Sequence, residues 1–243
     1  MSVPHRHVAR RNHQRKIKYR VQGAGIQRPV PCTLSPVLMT LTREKFIQML
    51  QAAATTIESN VTCLNQLDAA IGDGDHGTSI VKAIRAVAKT MAEAPPDQTL
   101  KEMLFQSGWA AMGEDCGSTS TLLGSLFMGM SEAVTSDELD FETVKAVFHH
   151  GLTNISKQTR AKVGDKTLMD ALIPAVEALQ NAPNLPSAFE AAAQAAATGA
   201  ESTRELVARF GRAKNLGERS VGHLDAGAVS MAMIFDAFSK NFP

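Results

Sequence analysis

From Thr42 onward, apolar residues recur three and four positions apart. Phe46, Leu50, Ala53, Ile57, Val61 and Leu64 form one stripe, which predicts a helix running from Thr42 into an acidic cluster that begins at Asp68. Ile80, Ile84, Val87 and Met91 form a second stripe, closed by Pro95-Pro96. A third starts near Leu100 and passes through Met103 and Leu104 toward Trp109. Leu122, Leu123, Leu126, Phe127 and Met130 make a fourth, which opens from a polar loop rich in Ser and Thr. Asp140 begins a fifth helix, with Phe141, Val144, Phe148, Leu152 and Ile155 on one face. Gly164-Asp165-Lys166-Thr167 opens a sixth through Leu172 and Val176. An alanine-rich seventh is expected over 188–210, and an apolar eighth leads from Gly227 to about Phe238. No β-alternation, internal repeat or heptad run is visible.

Eight helices joined by polar, glycine-bearing loops predict an all-α antiparallel bundle, in which alternate loops share an end. The loops after helices one, three, five and seven then lie together. They are the acidic cluster, the Ser/Thr loop, the Gly-Asp-Lys-Thr loop and the segment from Gly211-Arg212 to Asp225-Ala226-Gly227. Every polar motif in the chain falls on that one end.

Composition agrees. Aromatics are 5% of the chain, which favours helix-on-helix packing over a sheet sandwich. At 243 residues the chain buries a full core. No apolar run approaches the ~20 residues of a membrane span. Cys32, Cys63 and Cys116 are an odd set without metal-ligand spacing, so a reducing, cytoplasmic setting is expected. The formal charge of +1 hides an asymmetry. Residues 1–40 carry eight Lys/Arg and no acid, leaving 17 basic against 24 acidic residues, a net of −7, in the remainder. A mildly acidic body argues against nucleic-acid binding. Residues 1–39 show no helical or strand period and are expected to be a basic, disordered leader without a chemical role; a transit peptide, a basic arm and an upstream extension are its alternatives. Met39-Thr40-Leu41-Thr42 is a natural start before the first helix.

The chemistry concentrates in Leu67-Asp68-Ala69-Ala70-Ile71-Gly72-Asp73-Gly74-Asp75-His76-Gly77. Carboxylates this close repel one another unless a cation lies between them or water screens them. Glycines at 72, 74 and 77 permit turns that bring carboxylates and amides toward a ligand. Hard oxygen donors without a thiolate favour Mg²⁺ or Ca²⁺ over zinc. A solvated Asp/Gly turn is the competing reading. An EF-hand is excluded, because the twelfth residue counted from Asp68 is Ser79 and from Asp73 is Ile84, neither a glutamate. Gly117-Ser118-Thr119-Ser120-Thr121 reads as a helix N-cap or as an anion site. Its four hydroxyls exceed what one cap needs. His149-His150 lies within a helix, where adjacent side chains diverge by about 100° and cannot share a metal. No Walker loop, dinucleotide fingerprint or nucleophile elbow is present. What remains is carboxylates for a cation, hydroxyls and amides for phosphate, and arginine for developing charge, the parts that phosphoryl transfer needs.

Leu67-Asp68 with Gly72-Asp73-Gly74-Asp75-His76-Gly77, then Gly164-Asp165-Lys166-Thr167, Gly211-Arg212-Ala213, Leu216-Gly217-Glu218-Arg219-Ser220 and Gly222-His223-x-Asp225-x-Gly227 resemble the nucleotide-binding L subunit of the dihydroxyacetone kinase family. The likeness covers roughly residues 42–240, in matching order. It implies an eight-helix antiparallel barrel binding ADP or ATP at one end through two Mg²⁺ ions. Carried over position by position, it implies Asp68, Asp73 and Asp75 as magnesium ligands. It further implies His76, Gly77, Thr78, Ser79, Gly117, Ser118, Thr119 and Arg212 at the phosphates, and Leu168 against the adenine, where the family often has methionine. Asp225, Ala226 and Gly227 would close over the nucleotide. The catalytic set so implied is Asp68, Asp73, Asp75, His76 and Arg212. Two departures touch the nucleotide: Cys116-Gly117 replaces a Gly-Gly pair, and Asp225-Ala226-Gly227 replaces Asp-Pro-Gly.

The family holds its ketose on a separate K subunit or domain, so the resemblance implies such a partner, presenting dihydroxyacetone or a relative such as erythrulose. In one branch ADP stays bound and is recharged by a phosphohistidine on an M subunit of the phosphotransferase system. In the other, ATP exchanges. A homodimer is compatible with the sequence. Two other functional classes compete: an ADP-loaded regulatory module that binds a transcription factor, and a metal-dependent phosphohydrolase whose water-activating base would have to be His76.

Overall fold

The computed structural model describes residues 39–242. The expected leader, apart from Met39, lies outside the described residues. Among the described residues nine α-helices follow one another: α1 (Arg43–Ser59), α2 (Val61–Ala69), α3 (His76–Ala92), α4 (Leu100–Gly113), α5 (Gly117–Glu132), α6 (Phe141–Gln158), α7 (Met169–Asn181), α8 (Leu185–Ser202) and α9 (Ala226–Asn241). Local chemistry sets their starts. Thr42, Asp140 and Asn184 accept a first-turn amide with their side chains. Thr99 and Glu102 form a reciprocal capping box.

The helices close into a ring. α1 packs on α3, α3 on α4, α4 on α5, α5 on α6, α6 on α7, α7 on α8, α8 on α9, and α9 returns to α1. That ring is the expected eight-helix all-α barrel, with α2 lying against α3 as an additional short helix. The first predicted stripe is therefore two helices: the chain breaks at Asn60, whose side-chain amide donates to the Thr56 carbonyl at 2.8 Å. The stripe predicts them as one because neither Gly nor Pro marks the break. Inside the ring, Phe46, Phe148, Phe189, Phe235 and Phe238 are buried with centroid separations of 6.0–6.4 Å, mostly edge to face.

At one end, Leu41 pairs with Leu139 and Thr42 with Glu138 in a two-residue antiparallel bridge, β1 (Leu41–Thr42) to β2 (Glu138–Leu139). Arg43 ties the same end together by donating to the Gln98 carbonyl at 2.7 Å and the Pro95 carbonyl at 3.2 Å, beside Asp137. A bridge this short has no alternation for the sequence to display. The other set of loops gathers elsewhere, around a cavity.

Two further expectations change. The sixth helix begins at Met169, with Gly164-Asp165-Lys166-Thr167 as a turn before it rather than its first residues. The seventh ends at Ser202, not near Phe210. A 3₁₀ turn (Thr203–Glu205), extended chain and a second 3₁₀ stretch (Arg212–Ser220), kinked at Gly217, carry the chain to α9.

Candidate functional site

A cavity of about 840 Å³ opens where the loops after α2, α4, α6 and α8 meet. Four helices begin on it: α3 at His76, α5 at Gly117, α7 at Met169 and α9 at Ala226. Helix N-termini carry unpaired amides and the positive end of the peptide dipole, so four of them make a strong anion environment.

Asp68 stands at the end of α2. Its Oδ2 accepts the amides of Gly74 at 2.8 Å and Asp75 at 3.0 Å, folding the loop back on itself. Gly74 takes φ +79°, and a β-carbon at Gly72 would collide with the Asp68 carboxylate, so both glycines are needed for this turn. The result brings one oxygen each of Asp68, Asp73 and Asp75 within 4.8 Å of one another. All three face the cavity. A half-buried and two exposed carboxylates, all hard oxygen donors, fit a Mg²⁺ ion that keeps part of its water shell.

His76 Nε2 lies 2.9 Å from Ser230 Oγ on α9, while the Ser230 hydroxyl donates to the Gly227 carbonyl at 3.0 Å. With the serine proton so used, Nε2–H is the donor of the pair. Burial lowers the His76 pKa, opposed by the Asp68 carboxylate. Asn65, one turn before Asp68 on the same face of α2, accepts the Thr78 amide at 3.1 Å and donates to the Thr78 hydroxyl at 3.0 Å. Gly77 lies in the first turn of α3. It is buried away from the cavity, and a β-carbon there would strike the Val61 carbonyl and Asn65. Its absent side chain lets α3 cross α2 closely.

At α5, Ser120 accepts the Cys116 amide at 3.0 Å and donates to the Gly117 carbonyl, to which Thr121 also donates. Two of the four hydroxyls are thus committed locally. Ser118 and Thr119 line the cavity and make no side-chain hydrogen bond among the described residues, and no side chain caps the helix. Their hydroxyls and amides are open to an incoming anion.

Arg212 sits across the opening and pairs with Asp73, 139 positions away in sequence. Asp225 caps α9, accepting the Ala228 amide at 2.7 Å. Burial in the cavity wall pushes its pKa up to about 7, with Asp170 and Asp68 adding to the rise and the Ala228 amide and Lys166 opposing it. Ala226, Gly227 and Leu168 also line the cavity, beside apolar Phe210 and Met231. Five carboxylates (Asp68, Asp73, Asp75, Asp115, Asp225) share the wall with three basic side chains (Lys82, Lys166, Arg212). With every acid ionised these side chains sum to −2, a charge that divalent cations would offset for an entering polyanion. Asn65, Ser230, Lys82 and Asp115 are residues that pattern reading missed. Only Asn65 left a trace, its i, i+3 spacing to Asp68.

The DAK2 domain family matches residues 70–240. The chain is 35% identical over 199 residues to the ADP-binding subunit DhaL of a PEP-dependent dihydroxyacetone kinase from Listeria innocua, covering 82% of this chain and 96% of that one. It is 37% identical over 196 residues to an L-erythrulose kinase of Pectobacterium atrosepticum, covering 78% of this chain but 33% of the relative. The solved dihydroxyacetone kinase of C. freundii in complex with AMP-PNP and Mg²⁺ superposes with a TM-score of 0.62 at 25% identity, over 91% of this chain and 38% of that one. Those relatives are kinases; by the family match and the near end-to-end alignment with DhaL, this chain belongs to the DAK2 domain family of phosphotransferases.

Proposed function

We propose that residues 40–243 form the nucleotide-binding subunit of a dihydroxyacetone-type kinase. It passes a phosphoryl group from Mg²⁺-bound nucleotide to a ketose, dihydroxyacetone or a relative such as erythrulose, presented by a partner K subunit. The observation that carries this is the meeting, in one cavity, of three clustered carboxylates with an uncapped helix N-terminus bearing two uncommitted hydroxyls. The name of the Listeria relative and the ligands of the C. freundii structure support a nucleotide and Mg²⁺ as the occupants.

In this reading Asp68, Asp73 and Asp75 hold two Mg²⁺ ions. Ser118, Thr119 and the first residues of α3 hold the phosphates, while Leu168 lies against the base. Bound there, Mg²⁺ neutralises the phosphate tail and polarises its terminal phosphoryl group. Arg212 leaves Asp73 for the terminal phosphate, and its guanidinium stabilises charge there as the bond to the leaving oxygen breaks. The hydrogen bond from His76 Nε2–H to Ser230 fixes the imidazole at the start of α3, and burial favours its neutral form. The ketose hydroxyl supplies the attacking oxygen as the bond between the terminal phosphorus and ADP breaks; ADP is the leaving group, and the hydroxyl proton passes to solvent water. Recharging of bound ADP by a phosphotransferase-system M subunit is the branch that the Listeria name favours.

The test is phosphoryl transfer to dihydroxyacetone in the presence of a K subunit, with Mg-ATP as donor for the exchanging branch and a phosphorylated M subunit as donor for the recharging branch. Asp73→Ala and Asp75→Ala are each expected to lower turnover at least 10³-fold while the helical circular dichroism stays unchanged, the order of effect that loss of transition-state charge compensation produces. Retained turnover in both variants would refute the reading. Mass spectrometry of the undenatured protein separates the branches: retained ADP marks recharging in place, an empty site marks exchange.

A further inference from the structure

The segment 203–225 crosses from α8 to α9 as a strap without α-helix, and it carries Arg212 and Asp225 to the cavity. Its two ends meet. The Asp225 amide donates to Thr203 Oγ1 at 2.9 Å, and the Gly222 amide to the Arg204 carbonyl at 2.7 Å. Higher up, the Ala208 amide donates to Ser220 Oγ at 2.9 Å.

Lys166 reaches this base from the turn before α7. It is 1% exposed, and its ammonium donates to the carbonyls of Thr203 and His223, one on each arm of the strap. Thr203 directly follows α8, where helical carbonyls lose their partners and the dipole is negative, so a cation suits the position. The turn that aims Lys166 is itself fixed. Asp170, fully buried, accepts the amides of Gly164 at 2.6 Å and Thr167 at 2.7 Å. Lys166 is held at φ +61°, a left-handed conformation that side chains seldom take unless their surroundings impose it. A second tie runs beside it: the Arg209 amide donates to the Asp165 carbonyl at 3.1 Å, and the Arg209 guanidinium donates to the Asp165 carboxylate at 3.3 Å.

We propose that Lys166 is a positioning residue for nucleotide binding: by joining the Thr203 and His223 carbonyls it closes the base of the strap and so sets Arg212 and Asp225 on the cavity. The inference rests on the nucleotide-binding reading above. A lysine serving fold stability alone would leave nucleotide affinity unchanged in any variant that folds. A positioning lysine couples its two bonds to the affinity and to the order of the strap.

The test uses the full chain with Mg-ADP as the probe. Lys166→Met keeps length and bulk but removes charge and donors; Lys166→Arg restores both. Affinity is measured by titration calorimetry. Order of the strap is read from tryptic cleavage at Arg212, Lys214 and Arg219, with and without Mg-ADP. Wild type is expected to bind and to be protected in the strap by Mg-ADP. Lys166→Met is expected to keep its helical dichroism, to bind at least tenfold more weakly and to lose that protection. Lys166→Arg is expected to recover to within about threefold. Wild-type affinity and protection in folded Lys166→Met would overturn the proposal. Should Lys166→Met not fold, Lys166→Gln replaces it, with at least threefold weaker binding expected and wild-type binding again overturning the proposal. A wild-type chain stripped of any retained nucleotide that then binds no Mg-ADP would overturn the nucleotide reading itself, and this inference with it.

Discussion

Asp225→Asn separates the cost of the site from its use. The carboxyl at position 225 has an ordinary pKa of 3.8 in an exposed chain and about 7 in the folded protein, chiefly through burial. Below pH 3.8 the group is protonated in both states and contributes nothing. Between about pH 4 and 7 the unfolded chain has lost the proton and the folded chain still holds it, so the folded state binds more protons and stability falls as pH rises. Above pH 7 the full difference is present. A shift of about three units corresponds to about 4 kcal/mol. Residual solvent contact at the cavity wall reduces that to about 2–4 kcal/mol. Asparagine carries no charge and caps a helix as well as aspartate does, so the bond from the Ala228 amide survives. Urea denaturation of ligand-free wild type and Asp225→Asn at pH 5 and pH 8 reads the effect. The variant is expected to exceed wild type by about 1–1.5 kcal/mol at pH 5 and by about 2–4 kcal/mol at pH 8. Its affinity for Mg-ADP is expected to fall in the same samples. Because all other titrating groups are common to both proteins, parallel pH profiles would refute the argument that burial of Asp225 destabilises the empty site.

The −2 wall predicts that ADP raises the melting temperature only when Mg²⁺ is present; at a hundredfold excess over Kd the gain is about 2.7 kcal/mol, and an equal gain in EDTA would contradict the carboxylate assignment. Gly199→Ala would drive a β-carbon into the Asp170 carbonyl where α8 crosses α7. The expected loss is about 2 kcal/mol or more in urea denaturation, with weaker Mg-ADP binding because Asp170 holds the turn before α7.

The course of the chain was legible to the extent that the answer is local. Spacing at three and four residues placed the first six bundle helices, an alanine-rich and an apolar run marked the last two, and Thr42 and Asp140 marked the starts of their own helices. Failures fall where a distant partner decides. The break at Asn60 has no Gly or Pro to announce it, and α8 stops at Ser202 although the sequence beyond stays compatible with helix. There, the ammonium of Lys166, 37 positions earlier, takes the Thr203 carbonyl. The β1–β2 bridge joins residues almost a hundred positions apart through two residues each, too few to show a period.

The site divides along the same line. Asp68, Asp73 and Asp75 lie within eight positions, so clustered carboxylates are a property of the sequence itself. Ser118 and Thr119 are likewise a local helix start. Sequence proximity carries no information about what stands opposite, because barrel closure alone sets the distance between loops. Only the ring of helices brings Arg212 to Asp73, Ser230 to His76 and Lys166 to both arms of the strap. Only burial in that ring raises the Asp225 pKa, and only the crossing with α2 leaves no room for a side chain at Gly77. The acids and hydroxyls for binding a metal and a phosphate were written in short stretches of chain. Their assembly into one cavity was decided by tertiary packing, since desolvation and long-range contact exist only once the core has formed.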